Sequence, residues 1–274
     1  VKVGLTGFAG AGKTTVFTAL TGLAPRPERT AQVGTIKVPD DRVDALSAIF
    51  KPKKSTYAEV AFVDFPPARD AARRAVLDAE TIAALRDADA LVEVVRGFPD
   101  LTGTPATPAE DVAGFAAELV LADLAVIERR LERLKKEKGN EREKALLERL
   151  APVLEGGQAL RTVELAAEER ALVAGFAFLT LRPLLIVLNV PETDVAGAIP
   201  GDVAARAKEE GAEAMVLSAR VEAEIAELDA ADRAAFLADL GLTATARDRF
   251  IRASYALLDL VSFLTAGEDE CRAW

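Results

Sequence analysis

Histidine is absent from all 274 residues. That removes the commonest general base and, with a single cysteine present, every metal site built from imidazole or thiolate. The one cysteine, Cys271, has no partner for an internal disulfide, so nothing in the chain calls for an oxidising compartment. Aromatic residues are 5% of the chain against 50% apolar residues overall, so the expected core is aliphatic. An excess of positive charge is lacking as well: the formal net charge is -10, which argues against wholesale capture by nucleic acid, and no DNA specificity is expected. The start at Val1 shows no charged leader before an apolar stretch, so no signal peptide is read and a cytoplasmic location is expected. Ala171 to Val190 has the length of a membrane span, but Arg182 and Pro183 interrupt it. The expectation there is a buried helix up to Leu181, then a separate strand from Leu184 to Leu188, and no membrane partner.

Short β-branched and aliphatic runs recur at Val1 to Thr6, Val33 to Val38, Val60 to Val63, Ala90 to Val95, Leu184 to Leu188 and Ala214 to Leu217. Each is followed by a turn or a helical pattern. Such alternation predicts an α/β fold, a mostly parallel sheet with helices on both faces and ligands at the carboxyl ends of the strands. From about Asp111 to Leu154 the strand signals give way to charges. Val120, Leu124, Ile127, Leu131 and Leu134 keep the four-three spacing of a coiled-coil seam. Gly139-Asn140 breaks it, and Leu146, Leu150 and Val153 resume it before Gly156-Gly157. The pattern predicts an inserted antiparallel helical coiled-coil hairpin over 111–157, dividing a nucleotide-binding domain into 1–110 and 158–274.

Gly7-Phe8-Ala9-Gly10-Ala11-Gly12-Lys13-Thr14 matches the phosphate-loop pattern G-x-x-x-x-G-K-[ST], after an apolar strand and before the helical run Thr15 to Leu20. Glycines allow backbone angles that turn successive N–H groups inward as an anion nest, and the helix start adds its positive end. Gly7 and Ala9 to Thr15 are therefore read as the cradle for the phosphates of ATP or GTP. Lys13 is expected to bridge the β- and γ-phosphates and the Thr14 hydroxyl to ligate Mg2+. Asp64, ending an apolar run, is placed to hold the same ion through a water; the plainer reading is a strand-end Asp that caps a turn.

Several blocks together resemble the Obg-like ATPase family, known in bacteria as YchF, over nearly the whole chain. They are the loop above, Val33 to Asp40 with Arg42 to Leu46, Lys51-Pro52-Lys53-Lys54, Phe62-Val63-Asp64 and Leu121-Ala122-Asp123-Leu124. Phe178 to Pro183, Asn189-Val190-Pro191-Glu192, Ser218 to Glu224, and Ser254-Tyr255 through Thr265 to Trp274 complete the set. The resemblance implies a P-loop NTPase G domain with the hairpin inserted, and nucleotide-dependent work near the ribosome. It further implies that Asn189, Val190 and Glu192 meet the base, with Ser218, Ala219 and Arg220 in the loop that closes over it. Glu192 stands where guanine-specific relatives use Asp, which implies that ATP is tolerated or preferred over GTP. In this family the final block leads into a TGS domain, and here the chain stops at that threshold, implying either a shortened chain or a member without the domain.

The chain also departs from the pattern. Relatives carry D-x-x-G at the second switch, whereas this sequence reads Asp64-Phe65-Pro66-Pro67. Pro67 has no N–H to offer the γ-phosphate, and two prolines stiffen the backbone. Losing one such donor slows charge-stabilised reactions by roughly a hundredfold, so slow or absent hydrolysis is expected. Ala68 falls where Ras-like proteins orient water with glutamine, and Phe98 to Pro108 lacks the histidine proposed as catalytic in the family. Thr30 is the candidate magnesium-contacting threonine, or else a solvated loop residue. Arg129, Arg130, Arg133, Lys135, Lys136, Lys138, Arg142 and Lys144 make the hairpin tip basic. RNA or ribosome contact is one reading; a solvated face salted with Glu128, Glu132, Glu137, Glu141 and Glu143 is the other. Three functions stay open: a slow Mg-dependent ATPase switch, a nucleotide-binding scaffold, and, ranked last, a small-molecule kinase.

Overall fold

The computed structural model describes residues 1–24, 31–65, 77–137 and 139–274. Thr30, Pro66, Pro67, Ala68 and Lys138 lie outside the described residues. In chain order β1 (Lys2–Thr6) leads through the phosphate loop into α1 (Lys13–Thr21), then β2 (Gln32–Lys37), α2 (Asp41–Phe50), the short β3 (Lys54–Thr56) and β4 (Glu59–Asp64). α3 (Ala79–Arg86) and β5 (Ala90–Arg96) precede α4 (Pro108–Leu134) and α5 (Glu141–Glu155). α6 (Ala167–Val173) and two 3-10 turns lead to β6 (Leu184–Asn189), α7 (Gly201–Glu209), β7 (Glu213–Leu217) and α8 (Ala219–Glu227). α9 (Ala230–Asp239), α10 (Ala246–Leu257), β8 (Leu264–Thr265) and β9 (Glu270–Ala273) complete the chain.

The main sheet has the order β2-β4-β1-β5-β6-β7. All its pairs are parallel except β2 with β4. Strand sequence follows position: β6 is buried at every residue and reads as a continuous apolar run, whereas the edge strand β2 alternates buried and exposed. The connections part on either side of β1, which puts the crevice for a ligand at its carboxyl end. Side chains alternate between two cores. Leu91 and Val95 of β5 join Ile186, Phe115 and Leu119 under α4 and α7, while Val92 and Val94 join Phe17, Phe62 and Phe250 under α1 and α10.

The first turns of α4 pack into the sheet through Val112, Phe115 and Leu119. Farther on, Val120, Ile127 and Leu134 pack with Leu146, Leu147, Leu150 and Leu154 of α5, with Leu124 and Leu131 half-buried beside them. Gly139, at φ 94, lies in the turn between the two helices.

One sequence expectation needs correction. The helix expected to reach Leu181 ends at Val173, because Ala177 takes the left-handed angle φ 48 and the chain continues as short 3-10 turns. The small sheet β3-β9-β8 was not anticipated at all. Among the described residues no helix is long and apolar enough to cross a membrane.

Candidate functional site

Three glycines give the phosphate loop its shape. Gly7, Gly10 and Gly12 have φ of 128°, 81° and 88°, angles that side-chain-bearing residues rarely adopt. Two of these positions are also sterically closed. A Cβ on Gly7 would stand 2.2 Å from the Val94 carbonyl oxygen, and one on Gly12 2.4 Å from Asn189 Nδ2. Gly12 is the N-cap of α1, so the first-turn N–H groups of Lys13, Thr14 and Thr15 have no partner inside the helix and face the crevice. Ala9, Gly10, Thr14 and Thr15 are exposed there, and Ala11 is buried beneath them.

Lys13 is 9% exposed, and its Nζ donates to the carbonyls of Gly7 (2.8 Å) and Phe8 (3.0 Å). Burial lowers its pKa, and the nearby Asp64 carboxylate partly restores it. Thr14 Oγ1 donates to Asp64 Oδ2 at 2.9 Å, joining the helix start to the end of β4. Asp64 is 8% exposed, and its Oδ1 has no hydrogen-bond partner among the described residues. Burial raises its pKa, while the Thr14 hydroxyl and Lys13 pull it down. A hydroxyl and a buried carboxylate oxygen without a partner, side by side under an anion cradle, fit a hard divalent cation. No group of three or more acidic or sulfur ligands occurs among the described residues, so any ion would take most of its ligands from phosphate and water.

Asn189 ends β6 and is 5% exposed. Its Nδ2 donates to the Ala11 carbonyl and its Oδ1 accepts from the Ala219 N–H, both at 3.0 Å. One amide thus ties the phosphate loop to the start of α8, a role with no local signal beyond an Asn at a strand end. Ser218 caps α8, its hydroxyl accepting from the Val221 N–H at 3.4 Å. Val190 is buried, with its N–H on the Leu217 carbonyl at 2.9 Å. Glu192 opens a 3-10 turn and is exposed beside this cluster in sequence. Arg220 is exposed and paired with Glu224 at 3.1 Å. The structure therefore brings Gly7 to Thr15 together with Asp64, Asn189, Ser218 and Ala219, and leaves Arg220 turned to its own helix.

No protein-family model matches the chain. The chain is 37% identical over 290 residues to the ribosome-binding ATPase YchF of Pasteurella multocida, and 33% identical over 294 residues to that of Bacillus subtilis. Each alignment covers 100% of this chain and 80% of the relative. Among solved structures, the Schizosaccharomyces pombe YchF GTPase superposes with a TM-score of 0.85 at 23% identity, covering 100% of this chain and 80% of that one. That likeness speaks for the fold.

Proposed function

This chain belongs to the YchF family of P-loop nucleoside triphosphate hydrolases, and from that premise we propose that it is a slow, Mg-dependent ATPase acting as a ribosome-associated switch. The Thr14–Asp64 contact with its unpartnered Oδ1 carries the reading, because it supplies the cation half of the site directly beneath the anion cradle. Thr14 and Asp64 would hold Mg2+, which when bound neutralises charge on the β- and γ-phosphates. The loop N–H groups and Lys13 orient the same phosphates, and the nearby Asp64 carboxylate favours the charged form of Lys13 against the burial that lowers its pKa. Asn189 holds the loop against the base-side turn, and Glu192 is free to favour adenine over guanine. Nucleotide-binding and hairpin portions over 1–110 with 158–274 and over 111–157 are part of this reading. So is Thr30 as a further magnesium contact. Slowness rests on the sequence, since Pro67 has no N–H for the γ-phosphate.

Ribosome contact would use the hairpin tip, where Arg129, Arg133, Lys135, Lys136 and Arg142 are exposed. Part of the tip charge is spent internally: Arg130 is held by Glu143 at 2.6 Å, and Lys135 pairs with Glu132. A ribosomal partner carries a cytosolic location with it. The Pro66-Pro67 pair favours a second reading, a nucleotide-binding scaffold without turnover.

Calorimetry with Mg2+ and non-hydrolysable ATP and GTP analogues, with phosphate release from ATP in the same preparation, separates these. Preferred ATP binding with turnover that disappears in Lys13→Ala is expected. Binding without phosphate release selects the scaffold, and a preference for the GTP analogue would sink the Glu192 assignment.

A further inference from the structure

Phe8, the second residue of the phosphate loop, packs into the core under α4. A Cβ on Gly114 would stand 3.2 Å from its Cζ and 3.7 Å from its Cε2, so the ring rests on the bare backbone of α4. Beside this contact lies a cavity of about 600 Å³ whose lining includes Phe8, Ala9, Arg96, Asp111, Gly114 and Glu118. The ring thus has a helix to press on and space to move in.

Farther along α4, Asp123 is fully buried and pinned. Its Oδ2 accepts from the Thr180 N–H at 2.7 Å and the Thr180 hydroxyl at 2.8 Å, and its Oδ1 lies 3.1 Å from Arg86 Nη1. Arg86, at the end of α3, also donates to the carbonyls of Ala177 (2.8 Å) and Ala122 (3.3 Å), and Arg182 donates to the Arg86 carbonyl at 2.8 Å. This node gathers residues from Leu121 to Leu124 and Phe178 to Pro183, two sequence blocks that phosphate chemistry does not use. Past it, α4 is packed by α5 through Ile127 and Leu134.

At 1.5 Å per residue, Gly114 lies about 14 Å before Asp123 and Leu134 about 17 Å beyond it. The first interval is about two and a half turns, so ring and pin bear on opposite sides of the helix. From this geometry we infer that α4 is a lever. Phe8 passes displacement of the phosphate loop to Gly114, the Arg86–Asp123–Thr180 node is the fulcrum, and the hairpin tip swings by an amount comparable to the input. The inference rests on the nucleotide-binding reading above. By reciprocity, a partner that holds the tip changes nucleotide affinity by the same factor that nucleotide changes its own.

The test uses the full chain carrying spin labels at Lys136→Cys and Ala235→Cys, both exposed, with the native Cys271 buried. Label separation is measured with and without Mg2+ and a non-hydrolysable ATP analogue, and calorimetry on the same sample records binding. A shift of about 1 to 2 Å or more is expected, the scale of helix displacements at interfaces. It should vanish in Arg86→Gln and shrink in Thr180→Val, which removes only the hydroxyl on Asp123, while both still bind the analogue; because Val closely matches Thr in volume, its variant keeps the test alive if Arg86→Gln does not fold. Binding without a shift overturns the lever, as does an undiminished shift in both variants. No binding removes the nucleotide reading, and the lever's input with it.

Discussion

At the residue scale, Glu93 sits in the middle of β5, fully buried, with neither carboxylate oxygen hydrogen-bonded among the described residues. Burial pushes its pKa well above the usual carboxylate range; Asp111 and Glu210 push the same way and Arg161 opposes them. Arg161 is itself brought down to about 10, chiefly by burial. A carboxyl whose folded pKa is raised binds its proton more tightly folded than unfolded. Its contribution is therefore full below the unfolded value, about 4.3, and is lost as pH rises toward the folded one. As pH rises above about 4.3, urea midpoints of the wild type are expected to fall more steeply than those of Glu93→Gln. Parallel profiles for the two proteins would remove Glu93 from the account. A charged residue inside the apolar run Ala90 to Val95 was visible in the sequence; that neither of its oxygens finds a hydrogen bond among the described residues was not.

At the scale of elements, the distal half of α4 depends on α5. Leu147 is fully buried at that seam, so Leu147→Ala should cost about 2–5 kcal/mol of local packing. Hydrogen exchange should then speed up in α5 and in α4 beyond Asp123, with β1, β5 and β6 still protected; uniform loss of protection would contradict a separately packed hairpin. The same elements show what the sequence makes legible. All six strands of the main sheet announced themselves as short β-branched or aliphatic runs, and the seam of α4 as a repeat, because burial on a regular element leaves a pattern. The small sheet left none. β8 is two residues long and β3 three, and β3 pairs with β9 across the whole chain, Ser55 opposite Cys271. The expected helix to Leu181 failed for a related reason: its apolar run had length but no period, and the left-handed turn falls on Ala177, which carries none of glycine's warning. In the site, glycine spacing revealed the phosphate loop, whereas the Asn189 tie depends on a contact with Ala11 that no local pattern encodes.

The whole molecule carries a net charge of -10, yet concentrates exposed cations at one extremity of α4 and α5. Replacing Arg133, Lys136 and Arg142 together by Glu should weaken co-sedimentation with ribosomes. It should also flatten the salt dependence by about 0.7–0.9 in log–log slope for each phosphate contact removed. Unchanged binding with an unchanged slope would assign the tip to solvent. At the phosphate loop, the close approach of Asn189 to Gly12 has a consequence for descent and redesign. Any side chain at position 12 evicts the amide that fastens Ala11 to Ala219, so positions 12 and 189 can drift only as a pair. Glu192 stands outside that pairing, exposed on its own turn; under the base-selecting role proposed for it, a lineage or an engineer could change the base there without dismantling the loop proposed to hold the phosphates.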